Sequence, residues 1–365
     1  MHLSYCTNVH PAEDLDGIVA QFDTYAVPVR EHLREDRLGL GLWLAAPVAA
    51  ALAEDPALRR RLRHELDARG LEVVTLNGFP YSAFQAPVVK HAVYHPDWTT
   101  PDRLDYTLNL ARVLVDLLPD HAERGSISTL PLAWRTPWDA GRESAALSRL
   151  DALAKGLADI SGAAGRPVRV GLEPEPGCVI ETTEQAAAQL SRVDSTWLGV
   201  CLDLAHLACA WEQPAAAVER LRAAGVPIVK VQISAALEAA DGTEPALREY
   251  VEPRFLHQTR SPAGESSDDL DEALGQGYAG PWRIHYHVPL HATPEAPLRS
   301  TVPVARAAMK ALFAGSEPAC DHFDVETYTW GVLPPAQRPR DAASLAAGIA
   351  AEVAFAQLLL GEVAR

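Results

Sequence analysis

The residues of this sequence best suited to chemistry stand at the ends of short apolar segments. Glu173, Asp203 and Glu326 each lie at or near the end of such a segment, and His206 follows Asp203 by three residues. Uncharged segments of this length are typical of buried parallel strands, whose carboxyl ends carry the active site of an α/β barrel. Three carboxylates and a histidine that meet in one cavity would suit a divalent cation such as Mg²⁺, Mn²⁺ or Zn²⁺.

The elements that must position these residues alternate between strand and helix along the chain. This alternation predicts βα units, a parallel sheet and a single (β/α)8 TIM barrel that takes in residues 1–365 as one domain. No Gly-x-Gly-x-x-Gly follows a strand, which disfavours a dinucleotide-binding sheet. The predicted strands are 3–9, 38–44, 71–77, 125–130, 168–173, 198–203, 226–233 and 323–328. The predicted helices include 56–69, 142–164, 183–192, 214–224 and 341–360.

A ninth strand-like segment, 283–288, is one too many for the barrel. Because 323–328 carries a carboxylate and precedes the terminal helix, we assign it as the eighth strand. The ninth then belongs to an insertion between strands 7 and 8, about 235–320, over the barrel mouth. The long aromatic loop 78–99 is predicted to form a wall or lid of the cavity, because loops of this length in compact domains are usually functional or disordered.

The bulk composition excludes several classes of partner. The formal net charge of −16 opposes binding to nucleic acid and to anionic membrane surfaces. Five scattered cysteines without a CxxC pair fit a reducing compartment better than a disulfide framework. We see no signal peptide and no apolar span of membrane length, so a cytoplasmic protein without membrane insertion is expected.

The acids and their neighbours resemble the metal site of the xylose-isomerase-like barrel superfamily, which includes sugar isomerases, ketose 3-epimerases and inosose dehydratases. The resemblance rests on Glu173, Asp203, His206, Gln232 and Glu326. It implies a divalent metal (Mn, Zn, Co, Fe or Mg) on a glutamate, an aspartate, a histidine and a second acid. In that superfamily the histidine three residues after the aspartate usually meets the substrate, which here would be His206.

One departure concerns Gln232, which stands where the superfamily has its strand-seven metal histidine. Either the glutamine oxygen is a ligand, or His285 or His287 reaches in from the insertion. His285 and His287 are two apart on a strand and share a face, so both could point into the cavity. The metal set implied in this way is Glu173, Asp203, Gln232, His287 and Glu326.

The reaction implied is a metal-assisted isomerisation or epimerisation of a polyhydroxy carbonyl compound through an enediolate. Glu173 and Glu326 would be the acid–base pair and His206 would fix a substrate hydroxyl. A metal-dependent dehydratase and a non-catalytic binding protein remain alternatives. The residues expected to bind substrate are His10, Asn77, His95, Trp98, His206, His285 and Trp330, with His91, Trp43 and Phe79 as further candidates.

Three other charged residues have competing interpretations. Glu175 competes with Glu173, because the prolines on either side leave open which acid points inward. Asp324 would share a face with Glu326 and support it. Lys230, inside a strand, is expected to form an ion pair in the barrel rather than act as a base.

Four further segments resemble the EboE branch of the superfamily, a metabolite-traffic protein. The resemblance implies a polyol or cyclitol substrate in secondary metabolism, and a functional link to a prenyltransferase-like and a dehydroquinate-synthase-like (sugar-phosphate cyclase) protein of the same operon. It leaves the oligomeric state open. The segments are LSYCTNVHP (3–11), NGFPY (77–81), HYHVP (285–289) and VETYTW (325–330).

Overall fold

The computed structural model describes residues 1–277 and 279–364. Eight of its strands close a parallel barrel, so the predicted (β/α)8 fold is confirmed. In chain order the strands are β1 (His2–Cys6), β2 (Leu38–Trp43), β3 (Leu71–Asn77), β4 (Gly125–Thr129), β5 (Val168–Leu172), β6 (Leu198–Asp203), β7 (Ile228–Ile233), β8 (Ala236–Ala239), β9 (Thr259–Arg260), β10 (Ser266–Ser267), β11 (Trp282–His287), β12 (Arg299–Ser300) and β13 (His322–Val325). The barrel contains β1 to β7 in sequence and closes through β13, which pairs with both β7 and β1.

The helices cover the outside of the barrel and begin where the sequence supplies caps. Asp55 accepts a hydrogen bond from Ala57 N at the start of one helix, and Asp341 accepts one from Ser344 N at the start of another. The helices are α1 (Leu15–Gln21), α2 (Val27–Leu33), α3 (Ala46–Glu54), α4 (Pro56–Asp67), α5 (Pro101–Leu117), α6 (Ala140–Ala164), α7 (Thr183–Leu190), α8 (Leu204–Cys209), α9 (Pro214–Ala223), α10 (Leu270–Gln276), α11 (Val302–Leu312) and α12 (Ala342–Val363).

Two barrel strands are shorter than predicted because the chain turns early. β1 ends at Cys6 rather than at residue 9, since Thr7–Val9 forms a 3-10 turn. β13 ends at Val325 rather than at residue 328, and Tyr328–Gly331 forms another 3-10 turn soon afterwards. Both turns lie at the carboxyl end of the barrel, where they carry side chains across its mouth.

A buried ion pair fills the barrel below its carboxyl end. Lys230 Nζ lies 2.8 Å from Asp324 Oδ2, both side chains are fully buried, and Ser4 Oγ donates to Asp324 Oδ1 at 2.7 Å. A Cβ at Gly41 would collide with the Asp324 carboxylate, so only glycine leaves room there. Lys230 and Asp324 each stand two residues before a residue of the candidate site, so side-chain alternation places the pair one layer deeper. This is the ion pair expected for Lys230, and it means that Asp324 does not support Glu326 directly.

The chain between β7 and β13 forms a second sheet over the barrel mouth. Its strand order is β10-β9-β11-β8-β12, with β11 antiparallel to β8 and to β9. The pairing of β8 and β11 shifts register between Ile284 and His287. The segment 283–288 therefore lies outside the barrel, as expected, and the second sheet brings the end of β11 over the site.

The C-terminal helix α12 is long and apolar enough to cross a membrane by length and composition. This corrects the expectation that the sequence holds no apolar span of that length. Ile349, Val353 and Leu359 of α12 are buried in the core, and 44% of the most apolar window of the helix is buried within the protein. No other helix in 1–277 and 279–364 passes the same test.

Candidate active site

A cavity opens at the carboxyl end of the barrel strands, between the barrel and the loops above it. It holds about 490 Å³ of space between atoms, part of it open to solvent. Its polar floor includes Asn8, Asn77, Glu173, Glu175 and Glu326. The alternation of strand and helix explains this grouping, because parallel strands all present their carboxyl ends at the same rim.

Three amide side chains hold two buried glutamates together on this floor. Asn8 Nδ2 and Asn77 Nδ2 donate to Glu326 Oε1 at 2.7 and 2.9 Å. Gln232 Nε2 donates to Glu326 Oε2 and lies 3.1 Å from both carboxylate oxygens of Glu173. The glutamates of two different strands therefore face the same amide nitrogen, which occupies the kind of position that a cation would take between two carboxylates.

Burial dominates the protonation of these two glutamates. It raises the pKa of Glu173 to about 7, with a further contribution from nearby Asp203. Burial, and then the charge of Glu173, raises the pKa of Glu326 well above its usual range. Two carboxyl groups in one desolvated space cannot both ionise cheaply, so without a cation this site favours a bound proton.

Two further ligand-type atoms beneath the floor make no hydrogen bond within the described residues. Asp203 Oδ1 accepts from His206 N at 2.9 Å and from Ser234 Oγ at 2.8 Å, whereas its Oδ2 is buried without a partner. His287 Nδ1 donates to the carbonyl oxygen of Glu326 at 2.8 Å, which leaves its Nε2 as a lone-pair acceptor, also buried without a partner. A histidine oriented in this way is a typical metal ligand.

The residues present therefore fit a divalent cation. One ligand atom each from Asp203, His287 and Glu326 lies within 4.8 Å of the others, and a second such group combines Glu173, Asp203 and His206. Carboxylate oxygens with one imidazole nitrogen suit Mg²⁺, Mn²⁺, Fe²⁺, Co²⁺ or Zn²⁺. The Gln232 side chain presents its nitrogen to the carboxylates, and its Oε1 is a third buried atom without a partner.

A closed circuit of hydrogen bonds lines one side of the cavity. Tyr94 OH donates to Glu175 Oε1 at 2.9 Å and accepts from Gln258 Nε2 at 2.7 Å. Gln258 Oε1 pairs with His285 Nδ1 at 2.8 Å, and His285 Nε2 lies 2.9 Å from His206 Nε2. His206 Nε2 is also 3.1 Å from Glu175 Oε2, which completes the circuit. These partners make Nδ1 the protonated nitrogen of His285, so His206 donates to its Nε2.

The two histidines of the circuit carry different charges. Although burial alone would lower it, the carboxylates of Asp203, Glu175 and Glu173 raise the pKa of His206 to about 9. Burial, together with the neighbouring His206, holds the pKa of His285 well below its usual range. His206 is thus an imidazolium and His285 a neutral acceptor, an arrangement that presents a fixed positive charge beside the floor.

Several predicted site residues meet in this region. The cavity is lined by Asn77, Glu173, His206, His285 and Glu326, while Asp203, Gln232 and His287 lie just behind these lining residues. Glu173 and Glu175 both line the cavity, so the two residues are not alternatives as the sequence suggested. His285 and His287 face the same side of β11, with ring centroids 5.3 Å apart.

Four residues expected to bind substrate lie outside the cavity. His10 is buried beside β1, where its ring stacks on Tyr25 at 4.1 Å. His95 is exposed on the outer side of its loop. Trp98 and Trp330 are buried in the scaffold, where their indole N–H groups donate to other parts of the chain. Of the further candidates, Phe79 lines the cavity, whereas His91 and Trp43 do not.

Sequence reasoning missed four residues of the site. Asn8 follows the first strand as Asn77 ends the third, so the rule used for Asn77 would have found it. Tyr94 stood in the loop predicted as a wall, but nothing in the sequence distinguished it from its aromatic neighbours. Gln258 lies in an irregular segment and Tyr328 begins a 3-10 turn, and neither has a hydrophobic period that would reveal it.

Several solved structures share the fold of this chain. An L-ribulose 3-epimerase has a TM-score of 0.54 at 14% identity, over 100% of this chain and 95% of that chain. A xylose isomerase domain protein of Planctomyces limnophilus has a TM-score of 0.55 at 12% identity, over 99% and 96%. A xylose isomerase-like TIM barrel protein of Mycobacterium smegmatis, in complex with magnesium, has a TM-score of 0.53 at 14% identity, over 98% and 97%.

At these identities the solved structures show a shared fold. No curated protein matches the sequence of this chain. The family model described as xylose isomerase-like TIM barrel matches residues 39–283, which is more than half of the chain. The chain therefore belongs to the xylose isomerase-like TIM barrel family.

Proposed function

We propose that this protein is a metal-dependent isomerase or epimerase that acts on a polyhydroxy carbonyl compound, a sugar or cyclitol, through an enediolate. The observation that carries the proposal is the group of ligand-type atoms around Asp203. Asp203 Oδ2 and His287 Nε2 are buried beside the carboxylate of Glu326 and have no hydrogen-bond partner within residues 1–277 and 279–364. Buried polar atoms are rarely left unpaired, so a cation is the simplest partner for both.

The residues that would hold the cation are Glu173, Asp203, His287 and Glu326. Gln232 becomes a fifth candidate if its amide turns its oxygen toward the two glutamates. A divalent ion there would place positive charge beside a substrate oxygen and stabilise the negative charge that develops on it.

Glu173 and Glu326 are the proposed acid–base pair. One carboxylate removes the proton from the carbon that bears a hydroxyl and adjoins the carbonyl, and the electron pair of that C–H bond forms the C=C bond of the enediolate. Return of a proton to the opposite face of the same carbon gives epimerisation, and return to the neighbouring carbon gives isomerisation. The carboxylates lie within hydrogen-bonding distance of one Gln232 nitrogen, so they reach a common space.

The remaining polar residues would orient the substrate. The His206 imidazolium would place a positive charge beside the substrate oxygens, while Pro174 O and neutral His285 hold its ring in place. A charge fixed before the substrate arrives costs little reorganisation during the reaction.

A non-catalytic metabolite-binding protein is the second candidate, and Gln232 favours it. Its amide already bridges Glu173 and Glu326, which is a way to stabilise paired carboxyl groups without a metal. A metal-dependent dehydratase would use the same ligands and differ only in losing a hydroxyl from the substrate.

We also propose a branch of the family, a pathway and a substrate class for this protein. The four segments quoted above support an EboE-type protein of a cytoplasmic secondary-metabolite pathway, with a cyclitol as substrate and the prenyltransferase-like and cyclase-like proteins as functional neighbours. The dense negative charge of the chain is in keeping with a small-molecule partner rather than nucleic acid.

The first experiment is elemental analysis of the purified protein. We expect one divalent ion per chain in the wild type, and its loss in Asp203→Ala and in His287→Ala, because each removes a ligand atom. His95→Ala, at an exposed histidine outside the cavity, is the control and should keep the metal.

The second experiment tests the chemistry with ketoses and cyclitol ketones in D₂O. Epimerisation or isomerisation through an enediolate exchanges the proton next to the carbonyl, which NMR detects whichever product forms. A protein that binds no metal under any loading condition would refute the metal-dependent reaction. A metal-bound protein that exchanges no proton in any such compound would instead support the binding role.

A further inference from the structure

Part of the cavity lining is almost entirely apolar and forms a wall beside the polar floor. It is formed by the loop that follows β3, by the segment that precedes β9 and by Tyr328 in the turn that follows β13. The wall includes Phe79, Phe84, Val89, Phe255 and Leu256, each less than 10% exposed. The polar groups of the site come from the ends of the barrel strands and from β11, so the cavity is divided into a polar half and an apolar half.

Three aromatic rings form the centre of the apolar wall. The ring centroids of Phe84 and Phe255 are 5.2 Å apart, those of Phe84 and Tyr328 are 5.4 Å apart, and those of Phe255 and Tyr328 are 4.8 Å apart. These separations fall in the range of favourable aromatic pairs, so the rings support one another and form a fixed surface. A single ring would suffice to cover the apolar face of a sugar.

The polar side chains within this wall already have partners. Lys90 Nζ forms an ion pair with Asp269. Tyr94 OH is engaged by Glu175 at 2.9 Å, and Tyr328 OH lies 3.3 Å from His285 Nε2. Each of these three polar side chains therefore has a protein partner, and the phenyl and aliphatic side chains of the wall offer a ligand neither donor nor acceptor.

A compound with hydroxyl groups all round would fit this cavity poorly. Its outer hydroxyls would lose water against the aromatic rings without gaining a hydrogen bond, and each unpaired polar group carries a penalty. An apolar substituent at the same place would gain from burial instead. A cavity with a polar half and an apolar half therefore favours a ligand that also has a polar part and an apolar part.

We propose that the substrate is amphiphilic, with a polyhydroxy carbonyl head on the polar floor and an alkyl or aromatic substituent against the apolar wall. The polyhydroxy carbonyl head of this ligand rests on the proposed function. Its apolar substituent is inferred from the apolar wall alone. It narrows the substrate from free sugars and cyclitols to compounds whose hydroxyl-bearing part is linked to a hydrophobic group.

The test is isothermal titration calorimetry with 6-O-alkyl ethers of D-fructose from methyl to octyl, below their critical micelle concentrations. The head is constant, so any trend reports on the substituent. We expect the Kd to fall by about fourfold for each methylene that becomes buried. The Kd should level off once the chain covers the wall.

A matched pair of variants locates the effect. Val93→Asn places an amide of similar size in the wall, whereas Val193→Asn makes the same change at a half-buried valine between α7 and β6. Val93→Asn should raise the Kd of the longer ketose ethers by tenfold or more and leave that of the methyl ether nearly unchanged. Val193→Asn should leave the whole series as in the wild type.

The outcomes separate this inference from the proposed function. A Kd that does not change with chain length, or no binding of any of these ketose ethers, overturns the amphiphilic substrate even if the protein binds its metal and exchanges protons. Equal effects of Val93→Asn and Val193→Asn would also overturn it, because the apolar effect would then lie elsewhere. A chain-length trend in a protein that binds no metal would retain the apolar site and refute the proposed reaction alone.

Discussion

The buried pair of Lys230 and Asp324 leads to a prediction with an unusual pH dependence. Lys230→Met keeps a flexible side chain of similar length in the barrel but removes the only cation paired with the Asp324 carboxylate within the described residues. In the wild type, burial disfavours the charged lysine, yet Asp324 outweighs this and raises the pKa of Lys230 above its usual range. Lys230 therefore keeps its positive charge in the folded wild type at neutral pH.

The loss of stability in Lys230→Met depends on how the Asp324 carboxylate responds when its partner is removed. Leaving a buried charge without its partner costs about 3–5 kcal/mol. The carboxylate can instead take up a proton, and because an unfolded aspartate titrates near pH ~4, this costs about 4 kcal/mol at pH 7 and about 1.5 kcal/mol at pH 5. The folded variant binds this proton more tightly than the unfolded chain, so the variant loses stability as the pH rises.

Urea unfolding of the wild type and of Lys230→Met at pH 5 and pH 7 measures this difference. We expect the variant to be destabilised by about 3–4 kcal/mol at pH 7 and by about 1.5–2.5 kcal/mol less at pH 5. Lys155→Met, at an exposed lysine of α6, should change stability by less than ~0.5 kcal/mol at either pH. A destabilisation of Lys230→Met that is the same at both pH values would refute the reasoning. The loss of stability would then come from packing and not from the unpaired charge of Asp324.

Two further predictions concern the scaffold around the site. Burial raises the pKa of Glu352 to about 7, so the folded wild type loses stability as the pH rises from about 4.5 to about 7, and Glu352→Gln should remove this loss. Thermal melts at pH 5 and pH 7.5 should show the variant gaining on the wild type by up to about 3 kcal/mol, and an unchanged difference would contradict this cause. Arg103 donates to the carbonyl oxygens of Gly78 and Phe79, so Arg103→Lys should expose the following loop to limited proteolysis. Arg112→Lys, at an exposed position of the same helix, should not, and equal cleavage of both variants would argue against this anchor.

The barrel could be predicted because its strands are short, uncharged and regularly separated by helices. The predicted segments 71–77 and 198–203 coincide with β3 and β6. Errors appeared where the chain leaves a strand, since a 3-10 turn has no hydrophobic period to reveal it. The helix α8 was missed for a related reason: Asp203 both ends β6 and caps the helix that follows at once, by accepting from His206 N.

The site could be predicted only as far as the strands carry it. Glu173, Asp203 and Glu326 meet because the carboxyl ends of parallel strands share a rim, which a sequence pattern reveals. His95 and Trp98 belong to a loop, where one turn of the backbone decides whether a side chain faces the cavity, the solvent or the core. Residue type alone could not decide this, and both residues lie elsewhere.

His287, which we propose as the metal-ligating histidine, shows how the second sheet contributes to the site. β7 presents the neutral amide of Gln232 at the rim, so an imidazole must come from elsewhere if the cation is to have one. β11 supplies it, because its antiparallel pairing with β8 places His287 beside Glu326, whose carbonyl oxygen fixes the ring at 2.8 Å. The sequence left Gln232 and His287 as alternatives, and the geometry assigns them different tasks: the amide holds the two glutamates, and the imidazole faces Asp203 and Glu326 with a free nitrogen. Because the two side chains have these different roles, Gln232→Leu should loosen Glu173 and Glu326 and weaken metal binding. His287→Leu should abolish metal binding.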